Sequence, residues 1–170
     1  MKTLRQKLSL RVKPQMGFTL IEVLVALLVL SVGLLGLAML QVQGMKFNSD
    51  AYFRTQATIL AYDMIDRMRA NHVAAGTGAY DLATATDVNN RLSTYNACKA
   101  SSCNCDASAC STSTDEATYD IGKWYEAQDS LLPGSAINRS TIKRVGNQYT
   151  ITIRWWEREL PIIQTWVVIL

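Results

Sequence analysis

Glu22 is the residue whose type and position first point to chemistry, because it is the only charged side chain between Phe18 and Leu40. A carboxylate inside a membrane-length apolar run is costly unless it finds a partner, and such acids are by default functional. If the chain is cut between Gly17 and Phe18, the new α-amino group becomes a cation at the start of this run. We expect Glu22 to pair with that amine, more fully across two neighbouring subunits, where the pairing also sets their register.

Four cysteines form a second candidate cluster, with the spacing C-x4-C-x-C-x4-C. In an exported segment they would meet an oxidising compartment, where disulfides are the default. A bridge between the two central cysteines would be strained, so two connectivities stay open: 98–103 with 105–110, or 98–105 with 103–110. A structural zinc site is the alternative, although the central C-x-C departs from the usual zinc spacing. We expect disulfides and no metal at Cys98, Cys103, Cys105 and Cys110.

The sequence offers no catalytic set. His72 is the only histidine, and no nucleophile–base arrangement can be built around it with any specificity. Asp115, Glu116 and Asp120 lack the spacing of a calcium-binding loop, so we interpret them as a solvated acidic edge. The sequence therefore predicts no cofactor and no enzyme activity.

The positive charge of the chain is confined to its N-terminal tip. Residues 1–17 hold five basic and no acidic side chains, whereas residues 18–170 hold twelve basic and fourteen acidic ones. Nucleic-acid binding needs basic side chains clustered on a folded surface, so this distribution argues against it. The length of 170 residues fits one ordinary domain with an appended element, and a hydrophobic share of 49% rules out wholesale disorder.

Residues 18–40 are long enough and apolar enough to cross a membrane. As a helix they would extend about 35 Å, more than the ~30 Å hydrocarbon core. A secretory signal peptide has a shorter apolar region followed by a small-residue cleavage site, which this sequence does not match. The basic residues before the run predict a cytoplasmic N-terminus, with everything after Leu40 exported.

The same residues resemble the N-terminal signal of type IV pilins and pseudopilins. A basic leader ends in Gly17 and is followed by FTLIEVLVAL, in which Glu22 is the fifth residue. Glycine fits a proteolytic site, because a backbone without Cβ can approach the catalytic groups of a peptidase closely. The continuation LVLSVGLLGLA is most similar to the minor pilins of the PilV family. The resemblance covers about residues 16–40.

This resemblance implies a route of processing and assembly. A prepilin peptidase would remove residues 1–17 as a leader and methylate the new amino terminus at Phe18. Residues 18–40 would then be the transmembrane and assembly helix, with the head in the periplasm and the anchor in the bacterial inner membrane, until the subunit enters a pilus fibre near its tip. The implied partners are the peptidase, the inner-membrane assembly platform, other minor pilins and the major pilin through the N-terminal helix, and a tip adhesin.

Beyond the membrane the helix is predicted to continue to residue 71. Residues 41–71 are amphipathic, and Asp50–Arg54 and Asp63–Arg67 are spaced as i,i+4 ion pairs. A helix of this length suits a filament subunit better than a compact enzyme. An apolar stripe with helical spacing is formed by Ala57, Leu60, Ala61, Met64 and Met68.

Residues 72–170 are predicted to form a globular head that begins as a loop. Residues 72–117 have many small and polar side chains and little periodicity, and they contain the cysteine loop at 98–110. A short helix is predicted at 120–132, ended by Pro133-Gly134.

The C-terminal part of the head, residues 138–169, is predicted to be an antiparallel β-meander. Alternating apolar residues and turn signals predict strands at 138–145, 148–156 and 162–169. Trp155 and Trp156 lie on opposite faces of the second strand, so burial of both requires a cover on the outer face, either the loop or a partner subunit. The fold class is α+β, a type IV pilin fold with a long helix packed on a small antiparallel sheet.

Two classes of function fit these observations. The first is a structural subunit: a minor pilin acting in assembly or initiation of the type IV pilus, and in adhesion or twitching motility. Within this class, the alternative is a minor pseudopilin of a type II secretion system. The second class is an envelope enzyme or binding module for which the helix is only a tether. Glu22, close after the Gly17-Phe18 site, favours the structural subunit, because a tether gains nothing from an acid there.

Overall fold

The structure, a computed structural model, describes residues 17–100, 112–137 and 139–170. Within these residues a long N-terminal helix is followed by shorter helices and then by a small antiparallel sheet, which confirms the predicted α+β class. The elements in chain order are α1 (Leu20–Ala70), α2 (His72–Thr77), α3 (Ala85–Ala100), α4 (Ser113–Leu131), β1 (Thr141–Val145), β2 (Gln148–Glu157) and β3 (Leu160–Ile169).

Helix α1 runs without interruption from Leu20 to Ala70, close to the predicted 18–71. The chain divides within it into two compact units, one that ends at Met45 and one that starts at Lys46. Every described residue of the first unit is exposed. A helix that is apolar all round is suited to a membrane or to a protein core, and not to water.

The second unit, which we call the head, builds its core on the predicted stripe of α1. All five stripe residues are buried, with exposures of 4% or less, which confirms the helical spacing read from the sequence. They pack in one cluster with the aromatic side chains of α4 and with the inner face of the sheet. Trp124 of α4 donates from Nε1 to the carbonyl of Leu60 at 2.9 Å, which fixes α4 against α1. The predicted inner face of β2 is buried as well, at Tyr149, Ile151, Ile153 and Trp155.

One of the two ion pairs predicted along α1 forms. Asp63 accepts from Nε of Arg67 at 2.9 Å. Asp50 instead pairs with Arg158, in the turn between β2 and β3. Spacing along α1 could not reveal this contact, because the partner lies 108 residues further along the chain.

The sheet is a three-stranded antiparallel meander in the order β1-β2-β3. Gly146 opens the first turn with a φ of +61°, in the left-handed region that glycine adopts without strain. The second turn places Arg158 and Glu159 at φ values of +50° and +67°. Two-residue turns of this kind usually carry Asn or Gly. The ion pair to Asp50 holds this less favourable turn against α1.

Strand β2 runs antiparallel to the C-terminal half of α1. At one end of β2, the turn residue Arg158 contacts Asp50. At the other end, the Tyr149 hydroxyl donates to the carbonyl of Ala75, in α2, at 2.5 Å. Strand β3 therefore runs in the same direction as α1.

The prediction of a long loop over residues 72–117 was wrong. In the described part of this segment α2 and α3 form, and α4 begins at Ser113 rather than at 120. Helix α3 is mostly polar and carries little periodic signal, and α2 has only six residues. The first turns of both helices are nevertheless capped by side chains. Asn71 accepts from the amide of Ala74. Thr84 and Asp87 accept from each other's amides at 2.9 and 3.2 Å, which is a capping-box arrangement.

The outer face of the sheet is covered in part by the turn after α4. Trp155 is buried, whereas Trp156 is half-buried on the opposite face. The amide of Trp156 donates to the carbonyl of Pro133 at 2.8 Å, and a Cβ added at Gly134 would lie 2.6 Å from its indole ring. Strand β3 also starts earlier than predicted, so that Pro161 lies inside it.

Candidate functional site

The predicted cleavage point lies just outside α1. Gly17, Phe18 and Thr19 precede the helix and have no regular secondary structure. Phe18 is 82% exposed, and a Cβ added at Gly17 would meet no atom within 4 Å. No described residue therefore covers the peptide bond between Gly17 and Phe18.

Helix α1 begins directly after this segment, through the backbone of Thr19. Its carbonyl accepts from the amide of Glu22 at 3.0 Å and from the amide of Val23 at 3.4 Å. Glu22 therefore lies in the first turn of α1, where a negative charge interacts favourably with the exposed amides of a helix N-terminus. The sequence T-x-x-E at 19–22 is itself a helix-start signal that our sequence analysis did not use.

The side chain of Glu22 forms no hydrogen bond or ion pair with another described residue. It is exposed and shares one face of α1, at i,i+4 spacing, with Ala26 and Leu30, and Phe18 lies beside this face just before the helix begins. An exposed carboxylate on an apolar face is available to a cation from outside the helix. The structure thus places Glu22 near Phe18 along the helix, and its predicted pairing with a neighbouring amine stays a prediction.

Among the described residues, α1 is the one helix long and apolar enough to cross a membrane. Its most apolar 18-residue window has a mean hydropathy of 2.8, and none of the described residues buries it. The apolar residues after Phe18 thus extend the candidate site into a membrane-compatible surface.

The cysteine cluster is described only at its first member. Cys98 lies in the last turn of α3 and is disulfide-bonded. Cys103, Cys105 and Cys110 lie outside the described residues, so the predicted pairing stays a prediction. In the described ranges, no group of three or more His, Cys, Asp or Glu side chains could hold a metal ion.

Asp115 and Glu116 are exposed, as the interpretation of a solvated acidic edge requires, but that interpretation was wrong for Asp120. It is 8% exposed and accepts from Nη1 of Arg67 at 2.9 Å and from the Tyr80 hydroxyl at 2.6 Å. Burial alone would lower the pKa of Arg67, but its bonds to Asp63 and Asp120 outweigh that effect and raise it. Burial and the bond to Asp120 raise the pKa of Tyr80. The group ties α1 and α4 to the chain after α2, and each member already has partners, so it serves the fold.

Comparison with known proteins gives a match for the N-terminal segment. Residues 13–38 match the family model of the prokaryotic N-terminal methylation motif. No curated protein and no solved structure gave a match. The matched segment contains Gly17, Phe18 and Glu22 and ends within the apolar part of α1.

This motif has direct implications for the chain. It is the prepilin-type motif, which type IV pilins and pseudopilins share, so the match supports a type IV pilin-like or pseudopilin protein. The motif implies processing by a prepilin peptidase and assembly at a membrane, and with the apolar helix it fits anchoring in the inner membrane. Proteins with this motif have structural rather than enzymatic roles.

Proposed function

We propose that the chain is a minor pilin, a structural subunit that is stored in the inner membrane and then incorporated into a type IV pilus. The observation that carries the proposal is the methylation motif at residues 13–38, continued by the exposed apolar part of α1. A filament subunit needs such a helix twice, first as an anchor in lipid and then as a surface for neighbouring helices. The PilV-like continuation at residues 28–38 favours a minor pilin.

Processing at Gly17 is the first step of this function. Cleavage between Gly17 and Phe18 removes all five basic side chains of the leader and creates an amino group at the start of the apolar segment. The exposed, non-helical backbone at this point supports access by the peptidase. The enzyme then methylates the amine of Phe18, which keeps its positive charge.

Glu22 links processing to assembly, because its carboxylate can pair with the amino group that cleavage creates. In the membrane its carboxylate faces an apolar surrounding without a described partner. When two processed subunits pack together, the amine of one Phe18 and the carboxylate of the other subunit's Glu22 neutralise each other. Such a pair stabilises the interface only when its geometry is good, so it also selects one axial register between the helices.

A minor pseudopilin of a type II secretion system is the second candidate, because it shares the same motif. The two roles differ in where the subunit ends up and in what its loss impairs. Deletion of the gene for a minor pilin should reduce the number of surface pili, whereas deletion of the gene for a pseudopilin should block secretion and leave piliation intact.

Intact-mass measurement on protein extracted from membranes tests the processing step. We expect a mature chain that begins at N-methylated Phe18, with residues 1–17 absent. Gly17→Leu should leave the full-length chain in the membrane, whereas Gly33→Leu, in the middle of the apolar run, should be cleaved normally. A chain that still begins at Met1 in piliated cells would contradict the proposal.

A further inference from the structure

The two outer edges of the sheet differ in how their backbone groups are satisfied. On β1, the outward amide of Ile142 donates to the carbonyl of Leu82 at 3.3 Å. The outward amide of Arg144 donates to Oδ1 of Asp81 at 3.2 Å. The segment before α3 therefore closes the β1 edge. No described residue plays this role for β3, which is the last strand in the sheet order.

The backbone groups of β3 that face outwards follow from its register. A two-residue turn joins Glu157 to Leu160, so these two residues form a hydrogen-bonded pair, and every second residue of β3 bonds to β2 in the same way. The amide of Leu170 continues this series by donating to the carbonyl of Asn147 at 3.1 Å. The intervening residues point their amides away from β2, and they are Ile163, Thr165, Val167 and Ile169, with Pro161 contributing a carbonyl only.

This free edge carries little of the usual protection against strand pairing. Natural edge strands are short, bulged or charged, whereas β3 has ten residues and residues 160–170 contain no charged side chain. The outward-bonding residues also expose apolar side chains, at 59% for Ile163, 57% for Val167 and 76% for Ile169. Pro161, at the start of the strand, blocks one bonding position at most. A long, uncharged and apolar edge of this kind is suited to accept another strand.

One side chain of β3 lacks the partner that an added strand could supply. Among the described residues, Gln164 Oε1 is the one buried side-chain oxygen or nitrogen without a hydrogen bond. A buried acceptor without a partner costs about 1–3 kcal/mol. The backbone groups of Gln164 bond to β2. With an added antiparallel strand, Gln164 would therefore form a non-hydrogen-bonded pair, in which the two side chains lie close together. A hydroxyl or amide donor at that position would satisfy Oε1.

A second copy of the chain fits this edge poorly as the occupant, because of the direction of the C-terminal half of α1. Two β3 strands could pair antiparallel only around a two-fold axis that passes through the sheet. Because β3 runs in the same direction as α1, this axis would reverse the direction of α1 in the second copy. Two heads that point in the same direction therefore cannot pair through this edge.

We propose that the free edge of β3 binds an extended segment of a different polypeptide as a fourth strand. The segment is uncharged and rich in β-branched residues, so that it matches the apolar row at Ile163, Val167 and Ile169, and it carries Ser, Thr or Asn opposite Gln164. The outward amides of β3 bond to its carbonyls and continue the ladder of the sheet. The proposal depends on the head alone, so it is independent of processing at Gly17.

Amide hydrogen exchange on the full chain in detergent micelles tests this proposal. The probe is a synthetic peptide with the sequence of residues 162–169, carrying Trp166→Thr to supply the donor opposite Gln164 and flanked by lysines for solubility. A free peptide carries no α1, so the two-fold argument does not restrict it. We expect exchange at Ile163, Thr165 and Val167 to slow about tenfold when nine-tenths of the protein is occupied. The amides of Gln164 and Trp166, which already bond to β2, should be protected with or without peptide.

Variants at Thr165 separate strand addition from other binding. Thr165→Pro removes one outward amide and leaves the bonds to β2 in place, so it should abolish the protection at Ile163 and Val167. Thr165→Val keeps the amide and should bind as the parent does. Thr165→Lys, which adds an edge charge without changing the backbone, provides a second test if the proline variant loses the protection of its inward amides.

Three results would overturn the proposal. The first is no change in exchange up to ~1 mM peptide, a level at which even weak peptide binding is visible. The second is slow exchange of the outward amides in the chain without peptide, because the edge would then already be covered. The third is a dimer of the full chain that protects these amides, because the occupant would then be a second copy.

Discussion

Two carboxylates of this chain stand in opposite surroundings. Asp120 is buried and accepts hydrogen bonds from Arg67 and Tyr80. Glu22 is exposed on an apolar helix and has no partner among the described residues. A buried charge with partners holds a fold together, whereas an unpaired charge on an apolar surface is available to a partner from another chain. The two residues therefore call for tests with different readouts, stability for Asp120 and assembly for Glu22.

Removal of the Asp120 carboxylate should destabilise the head. Asp120→Ala leaves the Tyr80 hydroxyl buried without an acceptor and Arg67 with Asp63 alone, and we expect a loss of about 2 kcal/mol in the free energy of unfolding. The matched control is Asp66→Ala, which removes an exposed pair with Arg69 at 3.3 Å and should cost about 0.5 kcal/mol or less. Urea unfolding of both variants measures the difference, and equal losses would contradict the structural role of Asp120.

Removal of the Glu22 carboxylate should impair assembly and leave the head folded. Glu22→Ala would not hinder membrane insertion, because it removes a charge from an apolar helix. In the filament it would leave the amine of a neighbouring subunit buried without a counter-ion, at a cost of about 3–5 kcal/mol. The measurement compares the amount of variant in isolated pili with the amount in membranes, and Glu22→Asp should be intermediate because its reach is one methylene shorter. Normal incorporation of Glu22→Ala would contradict the pairing, whereas a defect with unchanged cleavage at Gly17 would support it.

At the scale of elements, α3 and α4 meet at a glycine. An added Cβ at Gly122 of α4 would lie 2.2 Å from the ring of Tyr95 in α3, closer than any real contact of this type. The same two helices are joined by Lys99, whose Nζ lies 2.5 Å from Oε1 of Glu126. The hydrogen bond from Lys99 lowers the pKa of Glu126. This contribution to stability is therefore complete above the ordinary pKa of a glutamate and is lost as the pH falls through the lowered value.

Substitution of Gly122 should separate the two helices. We expect Gly122→Ala to destabilise the head by about 1–3 kcal/mol through overpacking, although alanine is the better helix former. Gly76→Ala in α2 provides the matched control, because its added methyl meets no atom within 4 Å and should be neutral or stabilising by up to about 1 kcal/mol. Thermal unfolding of both variants gives the comparison. A stabilising Gly122→Ala would show that α3 does not pack here.

The elements that the sequence predicts well are those whose side chains repeat with a clear period. The stripe of α1 and the inner face of β2 were both found from such periods, and both are buried. Helix α3 was missed because most of its residues are polar, as in a loop. Its few core residues, Val88, Leu92 and Tyr95, were too sparse to show a helical period. The Thr84–Asp87 capping box was present in the sequence and would have located its start.

Contacts between distant segments could not be predicted from one sequence. The ion pair of Asp50 with Arg158 and the bridge of Leu82 to Ile142 depend on how the chain returns on itself. The candidate site was easier to find, because Gly17, Phe18 and Glu22 lie within a few residues of one another. The candidate site could therefore be predicted from local spacing alone, without knowledge of the tertiary packing.

At the scale of the whole molecule, the two units differ in where their apolar side chains lie. Each residue that is buried in the structure lies in the head, from Ala57 onwards. The first unit exposes apolar side chains throughout. A chain from Lys46 to Leu170 should therefore be soluble and monomeric and keep the near-ultraviolet circular dichroism of the full chain in micelles. Loss of that signal would show that the head needs residues before Lys46 to fold.

The oxidation state of the cysteines is also a property of the whole chain. We expect non-reducing mass analysis of the exported protein to show two intramolecular disulfides and no stoichiometric zinc. The disulfide at Cys98 is consistent with one of these two bridges. Four free thiols, or one zinc ion per chain, would reverse this expectation.

The direction of the strands relative to α1 has a mechanical consequence. Strands β2 and β3 lie along the C-terminal half of α1, so in the proposed filament a pull along that part of α1 would act parallel to both strands. Hydrogen bonds between antiparallel strands are perpendicular to the strands, so tension along α1 loads the whole β2–β3 ladder in shear, and its bonds must break together and not one after another. A fourth strand on the free edge of β3 would be loaded in the same geometry. In the proposed filament, the head would therefore transmit force between the C-terminal half of α1 and a segment bound at that edge.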